Sequence, residues 1–514
     1  MTRVTHVVIG GGLNGLVAAA LLARAGKSVC LLEQSPTLGG MAAPGPDGSA
    51  RMAHLLYNLS PRVARDLGFA GGRWPLSMTE LPSVSLSPEG AHVVVRGARA
   101  TLADGTPHAQ AAAFATLHGR LTRWGALLRH LAEAAPPGGL DGGALSMQGL
   151  RQMIRLGRVG LGLRGMGKPE MRAFLQALLS NAHDLILDEL VDGPLAGLLA
   201  ADAVRGAAAG PRSPGTVFSL IYRMGHGGAA SVPKGGMGAL IDAVAGVARA
   251  AGARVETGAK VARILVEGDR VTGVETETGE TIGAKAVLVS PGAQVACALA
   301  GHRHFDIEAT NRLRGIRARG TAAKINLTLD GTPEIPGLPA DLLGARLVLA
   351  PSTEAVELAF NPSKYRRMSD APVIEAVMPG LTDDGQPKAH LSAIVQYAPH
   401  DLEGGWSDAA RDRLLKITLD RLAQVAPGLP ARVTAAEVIT PDRIAGETGV
   451  PGGHWHHAEM ALDQLLALRP ANGIGRYALG PKGLFLCGAS AHPGGDLMGL
   501  AGLNAARAAL EAAS

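Results

Sequence analysis

The stretch that most constrains the fold lies near the start of the chain and reads THVVIGGGLNGLVAAALLARAGKSVCLLEQ. Residues 7–9 form an apolar, β-branched run, which is typical of a buried parallel strand. A helical pattern follows over residues 13–25 and ends at Gly26, a common cap, and residues 28–32 read as a second strand. This order of elements predicts a βαβ unit, so the expected fold class is α/β with a Rossmann-like domain.

The glycines of the first turn, Gly10, Gly12 and Gly15, fit the pattern G-x-G-x-x-G. Gly10 would permit a tight turn, Gly12 would let a pyrophosphate approach the backbone, and Gly15 would let helix and strand pack closely. The N-terminus of the helix would offer unpaired N–H groups to the phosphates. Glu33 lies 23 residues after Gly10, near the spacing at which an acid binds ribose hydroxyls. The alternative is a glycine-rich turn without a ligand, but the flanking strand, helix and acid favour a dinucleotide site.

A second match to the same pattern, GLGLRG at residues 160–165, stands in a different context. It follows a stretch that looks helical and basic rather than strand-like, so we expect no second nucleotide site there. The same region places Arg151, Arg155 and Arg158 at helical spacing. This basic face is consistent with weak contact to an anionic membrane surface, although a solvated surface explains it more simply.

Length and composition narrow the class of protein. The 514 residues are too many for one ordinary core, and 47% hydrophobic with 18% charged residues is a globular composition. The net charge of +5 is a thin excess without a long basic run, so nucleic-acid binding is not expected. Three widely separated cysteines argue against a disulfide framework or zinc site and favour a reducing, cytoplasmic location. The apolar N-terminus contains three consecutive glycines and no clear cleavage site, so it is not expected to be a targeting segment.

Two further blocks read as α/β units. Residues 231–293 combine a helix at 239–251 with short strands at 254–256, 261–267, 270–276 and 286–290. Gly268 and Asp269, between the second and third of these strands, predict a hairpin turn. Residues 484–513 read as a strand, a glycine-rich connection and a final helix from about residue 499. A strand followed by glycines and a helix N-terminus is again favourable for an anion.

Together these blocks resemble the flavoprotein superfamily that includes amine oxidases and phytoene desaturases. In that superfamily a second glycine pair, here Gly39 and Gly40, continues the FAD-binding fingerprint. A valine that matches Val261 contacts the adenine through its backbone. The resemblance implies FAD as cofactor, with these predicted contacts: Gly10, Gly12, Leu13, Asn14, Gly15, Glu33, Gln34, Gly39, Gly40, Val261, Gly488, Asp496, Met498 and Gly499.

The three blocks are far apart in sequence, so the predicted FAD-binding domain is discontinuous. It comprises residues 1–75, 231–300 and 466–514. An inserted α+β substrate domain would comprise residues 76–230 and 301–465. Its first segment looks mainly helical, with a long stretch at residues 109–135 that keeps an apolar face at helical spacing, and its second carries strand-like pieces at residues 323–329 and 390–397.

The end of the chain is similar to the phytoene-desaturase-like branch. That branch ends with a strand, a Gly-Ala pair, His-Pro-Gly and a glycine-rich entry to the last helix, which here are residues 488–489, 492–494 and 495–502. The stretch at residues 452–470 resembles phytoene-dehydrogenase-related oxidoreductases. Amine oxidases instead enter the last helix through a Trp/Tyr segment that forms an aromatic cage at the flavin. The positions here are Pro493, Asp496, Leu497 and Met498, so this cage is absent.

Oxidation by flavin also requires a group that accepts a proton, and histidine has a suitable pKa. His456, His457 and His492 are the candidate bases. The H-x-H-H cluster that includes His454 fits no standard zinc spacing and has no cysteine nearby, so no metal is expected. In the resembled fold, backbone N–H groups near Met498 and Gly499 would stabilise the reduced ring.

The predicted function is FAD-dependent dehydrogenation or desaturation of a largely apolar or conjugated small molecule, by hydride transfer to flavin N5. Oxygen or a quinone would accept the electrons. Three alternatives remain: an amine or amino-acid oxidase with a remodelled cage, a flavin-dependent isomerase or saturase, and a non-catalytic FAD-bound interaction protein.

Overall fold

The central sheet is built from three distant parts of the chain. It is seen in the computed structural model, which describes residues 2–45, 51–136, 157, 160–162, 164–378 and 390–512. All five strands are parallel, and the run HVVI lies at the centre with all four residues buried. Burial on both faces explains why this run is continuously apolar after its first residue. In spatial order the strands are Leu484–Leu486, Ala286–Val289, His6–Ile9, Val29–Leu32 and Arg254–Glu256.

Three helices from the same three parts of the chain pack together beside this sheet. The helix Leu13–Arg24 contacts both Gly236–Ala250 and Leu500–Ala512. Its contact with the last helix is close, because a Cβ at Gly502 would lie 2.0 Å from the Asn14 carbonyl oxygen. The first and last predicted blocks therefore meet directly.

A smaller, four-stranded sheet contains the predicted hairpin. Glu267 and Arg270 are paired across Gly268 and Asp269, which confirms the predicted turn. The strands predicted in this block are observed, with the addition of a short one, Thr281–Gly283, that the pattern did not reveal. In spatial order the strands are Thr2–Arg3, Thr281–Gly283, Arg270–Thr276 and Val261–Glu267.

The largest sheet is mixed and has eight strands. All of them come from residues 76–230 and 301–465, whereas the two sheets above use the remaining segments. The predicted domain organisation leads to this distribution of strands. The domain boundaries themselves remain a prediction. In spatial order the strands are Val433–Ile439, Ala322–Leu329, His390–Gln396, Ile374–Val377, Arg346–Leu349, Ser83–Ser85, Val93–Arg96 and Arg99–Leu102.

The two faces of this sheet differ in chemistry because side chains alternate along a strand. Ile325, Ile374 and Ala393 belong to an apolar core that also includes residues of the helix Asp408–Ala423. Lys324 and Glu375, chain neighbours of Ile325 and Ile374, lie on the opposite face and are buried, as is Arg346 beside the core residue Leu347. Charged side chains are rarely buried unless they are paired, so this face is the part of the sheet that requires an explanation.

A two-stranded sheet and further helices complete the fold. Met78–Leu81 and Ala230–Pro233 form a two-stranded antiparallel sheet. The long helix predicted in the first insertion is observed as Ala111–Ala132. The other α-helices are Pro61–Asp66, Gly167–Leu179, Ala182–Leu187, Pro194–Val204, Thr216–Arg223, Ala293–Ala300, Ile307–Arg314, Thr353–Phe360 and Pro441–Thr448.

The remaining sequence expectations concern contact with a membrane and the second glycine pattern. Within the described part of the chain, every helix falls short of the length or apolarity that crossing a bilayer requires. The basic positions Arg151, Arg155 and Arg158 lie outside the described residues, as does part of the second glycine pattern at residues 160–165.

Candidate functional site

The glycine-rich turn has the geometry that the sequence predicts for it. Gly10 has a φ of 99°, which a residue with a side chain rarely adopts. A Cβ at Gly15 would lie 2.0 Å from the Gly10 carbonyl oxygen, so the close packing expected there is confirmed. A Cβ at Gly12, in contrast, would meet nothing closer than 3.9 Å. The backbone at Gly12 therefore borders open space at the N-terminus of the first helix.

The second glycine pair lies directly against this turn. The Gly39 N–H donates to the Gly11 carbonyl oxygen at 2.9 Å, and Gly12 and Gly39 form an isolated parallel bridge. Gly40 has a φ of 57°, and a Cβ there would lie 3.4 Å from the Gly12 Cα. The two glycine motifs thus form one continuous backbone surface.

Glu33 lies at the end of the second parallel strand and is held by the backbone. Its Oε2 accepts the Gly11 N–H at 2.6 Å, and its Oε1 accepts the Ser35 N–H at 2.8 Å. A carboxylate has further lone pairs, so Glu33 can still accept hydrogen bonds from two ribose hydroxyls. Next to it, the Gln34 side chain donates to the Glu447 carbonyl oxygen.

A large cavity runs from the glycine turn to the C-terminal block. It contains about 1740 Å³ of empty space when the open solvent at its mouth is included, and residues 495–497 of the C-terminal block border it. The sequence-predicted residues that line it are Gly10, Gly12, Leu13, Asn14, Glu33, Gln34, Gly39, Gly40, Val261, His456, His457 and Asp496.

Four predicted cofactor contacts support the wall of this cavity without lining it. Besides Gly15, these are Gly488, Met498 and Gly499. A Cβ at Gly488 would lie 1.7 Å from the Ser290 carbonyl oxygen, so this glycine permits two chain segments to pack.

Met498 and Gly499 do not line the cavity, and their contact with the flavin stays a prediction. The Met498 carbonyl accepts the Ser60 N–H, and a Cβ at Gly499 would lie 3.1 Å from Val63. Both residues therefore pack against this neighbouring segment. Residues 495–497 border it instead, and the last helix begins at Leu500.

The three candidate bases differ in position. His492 does not line the cavity, because its Nε2 lies 3.0 Å from the Leu131 carbonyl oxygen at the end of a long helix. His457 does line it, and its Nδ1 lies 3.0 Å from the Ser290 carbonyl oxygen. Burial lowers the pKa of each of these two histidines to about 4.

His456 is the candidate base that faces the most polar part of the cavity. It is buried, its Nε2 lies 3.7 Å from Asp496 Oδ1, and its Nδ1 has no hydrogen-bond partner among the residues that the structure describes. A Cβ at Gly495 would lie 2.2 Å from this Nδ1, so the ring fits only against a glycine. Burial holds the pKa of His456 well below its ordinary value and raises the pKa of Asp496.

A buried cluster of charged residues adjoins this end of the cavity, with Glu375 at its centre. Tyr57 Oη donates to Glu375 Oε2 at 2.8 Å, and Arg346 Nε donates to the same oxygen at 2.7 Å. Arg205 donates from Nε and Nη2, at 3.1 Å and 3.0 Å to Oε1. Burial alone would raise the pKa of Glu375, but the two arginines outweigh it and hold the pKa well below its ordinary value.

The cluster extends in two directions from Glu375. On one side, Asp202 forms ion pairs with both Arg223 and Arg346. On the other side, His54 Nε2 lies 3.1 Å from Glu375 Oε1, and its Nδ1 lies 2.7 Å from Lys324 Nζ. Burial is the largest cause that lowers the pKa of Lys324 well below its ordinary value.

This cluster is the part of the site that the sequence analysis missed. The available signal is a single charged residue within an otherwise apolar strand, as in IEAV or RLVL. Such a residue is expected to be paired when it is buried, so it identifies a partnered site without identifying the partner.

The residues of the cavity fit FAD. The open backbone at Gly12 and the helix N-terminus suit a pyrophosphate, and Glu33 suits a ribose. The cavity continues from there past Val261 and the histidines to residues 495–497, which provides room for an extended dinucleotide. A Rossmann-like sheet with such a site defines a class of proteins, the flavin-containing oxidoreductases.

Comparisons with known proteins place the chain more closely. A family described as NAD(P)-binding Rossmann-like domain matches residues 8–68, and one described as flavin containing amine oxidoreductase matches residues 83–510. The chain belongs to the flavin-containing amine oxidoreductase family, within the superfamily of amine oxidases and phytoene desaturases, and its cofactor is FAD.

Individual relatives cover nearly the whole chain. The rat protein "pyridine nucleotide-disulfide oxidoreductase domain-containing protein 2" is 31% identical over 97% of this chain and 92% of its own length. A neurosporene-forming phytoene desaturase from Cereibacter sphaeroides is 24% identical over 96% and 92%. The structure of a cyclohexylamine oxidase from Brevibacterium oxydans shares the fold, with a TM-score of 0.57, 13% identity and coverage of 99% and 98%.

Proposed function

We propose that this oxidoreductase dehydrogenates or desaturates a small molecule with a largely apolar or conjugated body. One observation carries the proposal: the large cavity meets a second, smaller cavity at the end away from the glycine turn. Four residues line both of them, namely Tyr57, Arg205, His456 and Asp496. A substrate at the junction of the two cavities would therefore meet the reactive end of the cofactor beside an imidazole and a carboxyl group.

The chain would hold the adenosine diphosphate part of the cofactor through its N-terminal βαβ unit. The backbone at Gly12 and the first turn of the helix Leu13–Arg24 would bind the pyrophosphate, while Glu33 would bind the ribose. Bound FAD supplies an acceptor for a hydride, at N5. The apolar side chains of Met52, Leu55 and Ile394 line the cavity and would exclude water from the substrate.

His456 is the residue that would take the proton. Its lowered pKa keeps the imidazole neutral near pH 7, and a neutral imidazole has a lone pair that accepts a proton. The Asp496 carboxyl group, 3.7 Å from Nε2, can stabilise the imidazolium that results. His457 is the second candidate, because donation from Nδ1 to the Ser290 carbonyl leaves Nε2 as the acceptor.

Anaerobic mixing of the purified holoprotein with candidate substrates tests this function. We expect loss of the oxidised flavin absorbance with at least one apolar or conjugated substrate, and a product two hydrogens lighter by mass spectrometry. Oxygen and a soluble quinone, added afterwards, identify the acceptor. A flavin that dithionite reduces but that no substrate in a broad panel reduces would refute the proposal in favour of an FAD-bound interaction protein.

Product mass also separates the remaining alternatives. An isomerase would return a product of unchanged mass, and a saturase would return one two hydrogens heavier. Either result would replace desaturation as the net reaction without changing the assignment of the cavity.

A further inference from the structure

Arg205 has hydrogen-bond donors for which the described part of the chain provides no acceptor. The residue directly follows the helix Pro194–Val204, and its Nε and Nη2 bind Glu375. Among the described residues, Nη1 has no hydrogen-bond partner. The side chain is 17% exposed and lines both cavities, so these free N–H groups border the space where they join. A guanidinium offers five donors in a planar fork that matches a carboxylate.

Two aromatic rings hold this guanidinium in place. The Arg205 Cζ lies 4.6 Å from the centre of the Tyr57 ring and 4.9 Å from the centre of the Trp455 ring. A pair of rings at the end of a flavin cavity could otherwise surround a cationic amine, since aromatic faces attract cations. Here the Arg205 guanidinium lies beside both rings. It disfavours the binding of a cationic amine, because the two carry like charges and because the guanidinium already fills the space.

We propose that Arg205 anchors a carboxylate of the substrate, so that the substrate class is a carboxylic acid with an apolar or conjugated body. The inference rests on the proposed function, because it places the substrate at the junction of the two cavities. The carboxylate would bind the free Nη1 side of the guanidinium, while Glu375 keeps the other side oriented. The body would lie against Leu55, Met52 and Ile394.

Equilibrium binding of three ligands of similar size tests this inference without requiring turnover. The oxidised holoprotein is titrated with benzoate, benzylamine and benzyl alcohol, and binding is followed by flavin difference absorbance and by calorimetry. We expect saturable binding of benzoate at least about tenfold tighter than that of benzylamine, because charge-assisted hydrogen bonds form only with the anion. Equal or tighter binding of benzylamine, or no binding of benzoate, overturns the inference.

Variants assign the effect to one residue. Arg205→Gln should weaken benzoate binding about tenfold or more and leave benzyl alcohol binding unchanged. Arg413→Gln, at an arginine on the exposed side of a distant helix that pairs with Asp370, is the matched control and should bind benzoate normally. Unchanged benzoate binding by Arg205→Gln overturns the assignment. If that variant does not retain FAD, Arg205→Lys replaces it and should lose several-fold, since a lysine keeps the charge without the fork.

The two proposals fail differently. A holoprotein that binds benzoate through Arg205 but oxidises no substrate contradicts the proposed function alone. One that is reduced by amines and ignores carboxylates retains the oxidoreductase function and contradicts the carboxylate inference.

Discussion

Replacing Glu375 by glutamine should destabilise the protein strongly, although the side chain keeps its size. Glu375 is the common acceptor of Tyr57, Arg205 and Arg346, and it lies next to His54. A glutamine removes the negative charge and places an N–H₂ group against donors. Arg205 would then be buried without its counter-charge, and Arg346 would have to share Asp202 with Arg223.

The size of the effect follows from the burial of the cluster. Removal of one partner from a buried ion pair typically costs about 3–5 kcal/mol, because an uncompensated charge remains. With an unfolding entropy of about 2.1 cal/mol/K per residue, 514 residues give roughly 1.1 kcal/mol/K. The expected fall in Tm is therefore about 3 to 5 °C if the chain unfolds cooperatively. It is larger if the unit around the eight-stranded sheet unfolds separately.

Differential scanning fluorimetry of the holoprotein measures this shift. Glu354→Gln is the matched control, because Glu354 forms an ion pair with Arg212 in which both side chains are about half exposed. Exposed pairs contribute about 0–1 kcal/mol, so its Tm should fall by less than about 1 °C. Combining Glu375→Gln with Arg205→Met should recover part of the loss, since one unpaired cation is removed. If Glu375→Gln has the same Tm as the control variant, the idea that the charges of this cluster neutralise one another is refuted.

Three further predictions concern the cofactor, the base and pH. Gly15→Ala should lose FAD, measured as the ratio of flavin to protein absorbance, because its Cβ would lie 2.0 Å from the Gly10 carbonyl; Gly246→Ala, a helical site with open space, should retain it. His456→Gln should keep FAD and slow flavin reduction by about 10²-fold or more in rapid mixing, and an unchanged rate would exclude it as the base. His457 has its pKa lowered by burial to about 4, so unfolding takes up a proton and stability falls as pH drops from about 6.5 to 4. Over that interval His457→Gln should flatten the curve of Tm against pH. A curve parallel to that of the unsubstituted protein would show that His457 is not buried in neutral form.

The sequence by itself determined the local part of the site. The turn at Gly10, the packing at Gly15 and the position of Glu33 depend on residues within one βαβ unit. Backbone sterics and the helix N-terminus act over a few residues, so a motif with the right spacing specifies them. For the same reason the hairpin at residues 268–269 and the long helix of the first insertion could be predicted.

Tertiary structure alone decided which polar side chains meet at the far end of the cavity. Tyr57 and Glu375 are 318 residues apart, and His54 and Lys324 are 270 apart. Alternation along a strand shows that a charged residue lies opposite an apolar face, but not which strand or helix covers it. The same limit applies to His492, whose motif resembled that of a site residue although its ring contacts the Leu131 carbonyl. Local spacing specifies backbone geometry, whereas the partners of a buried charge depend on how distant segments pack.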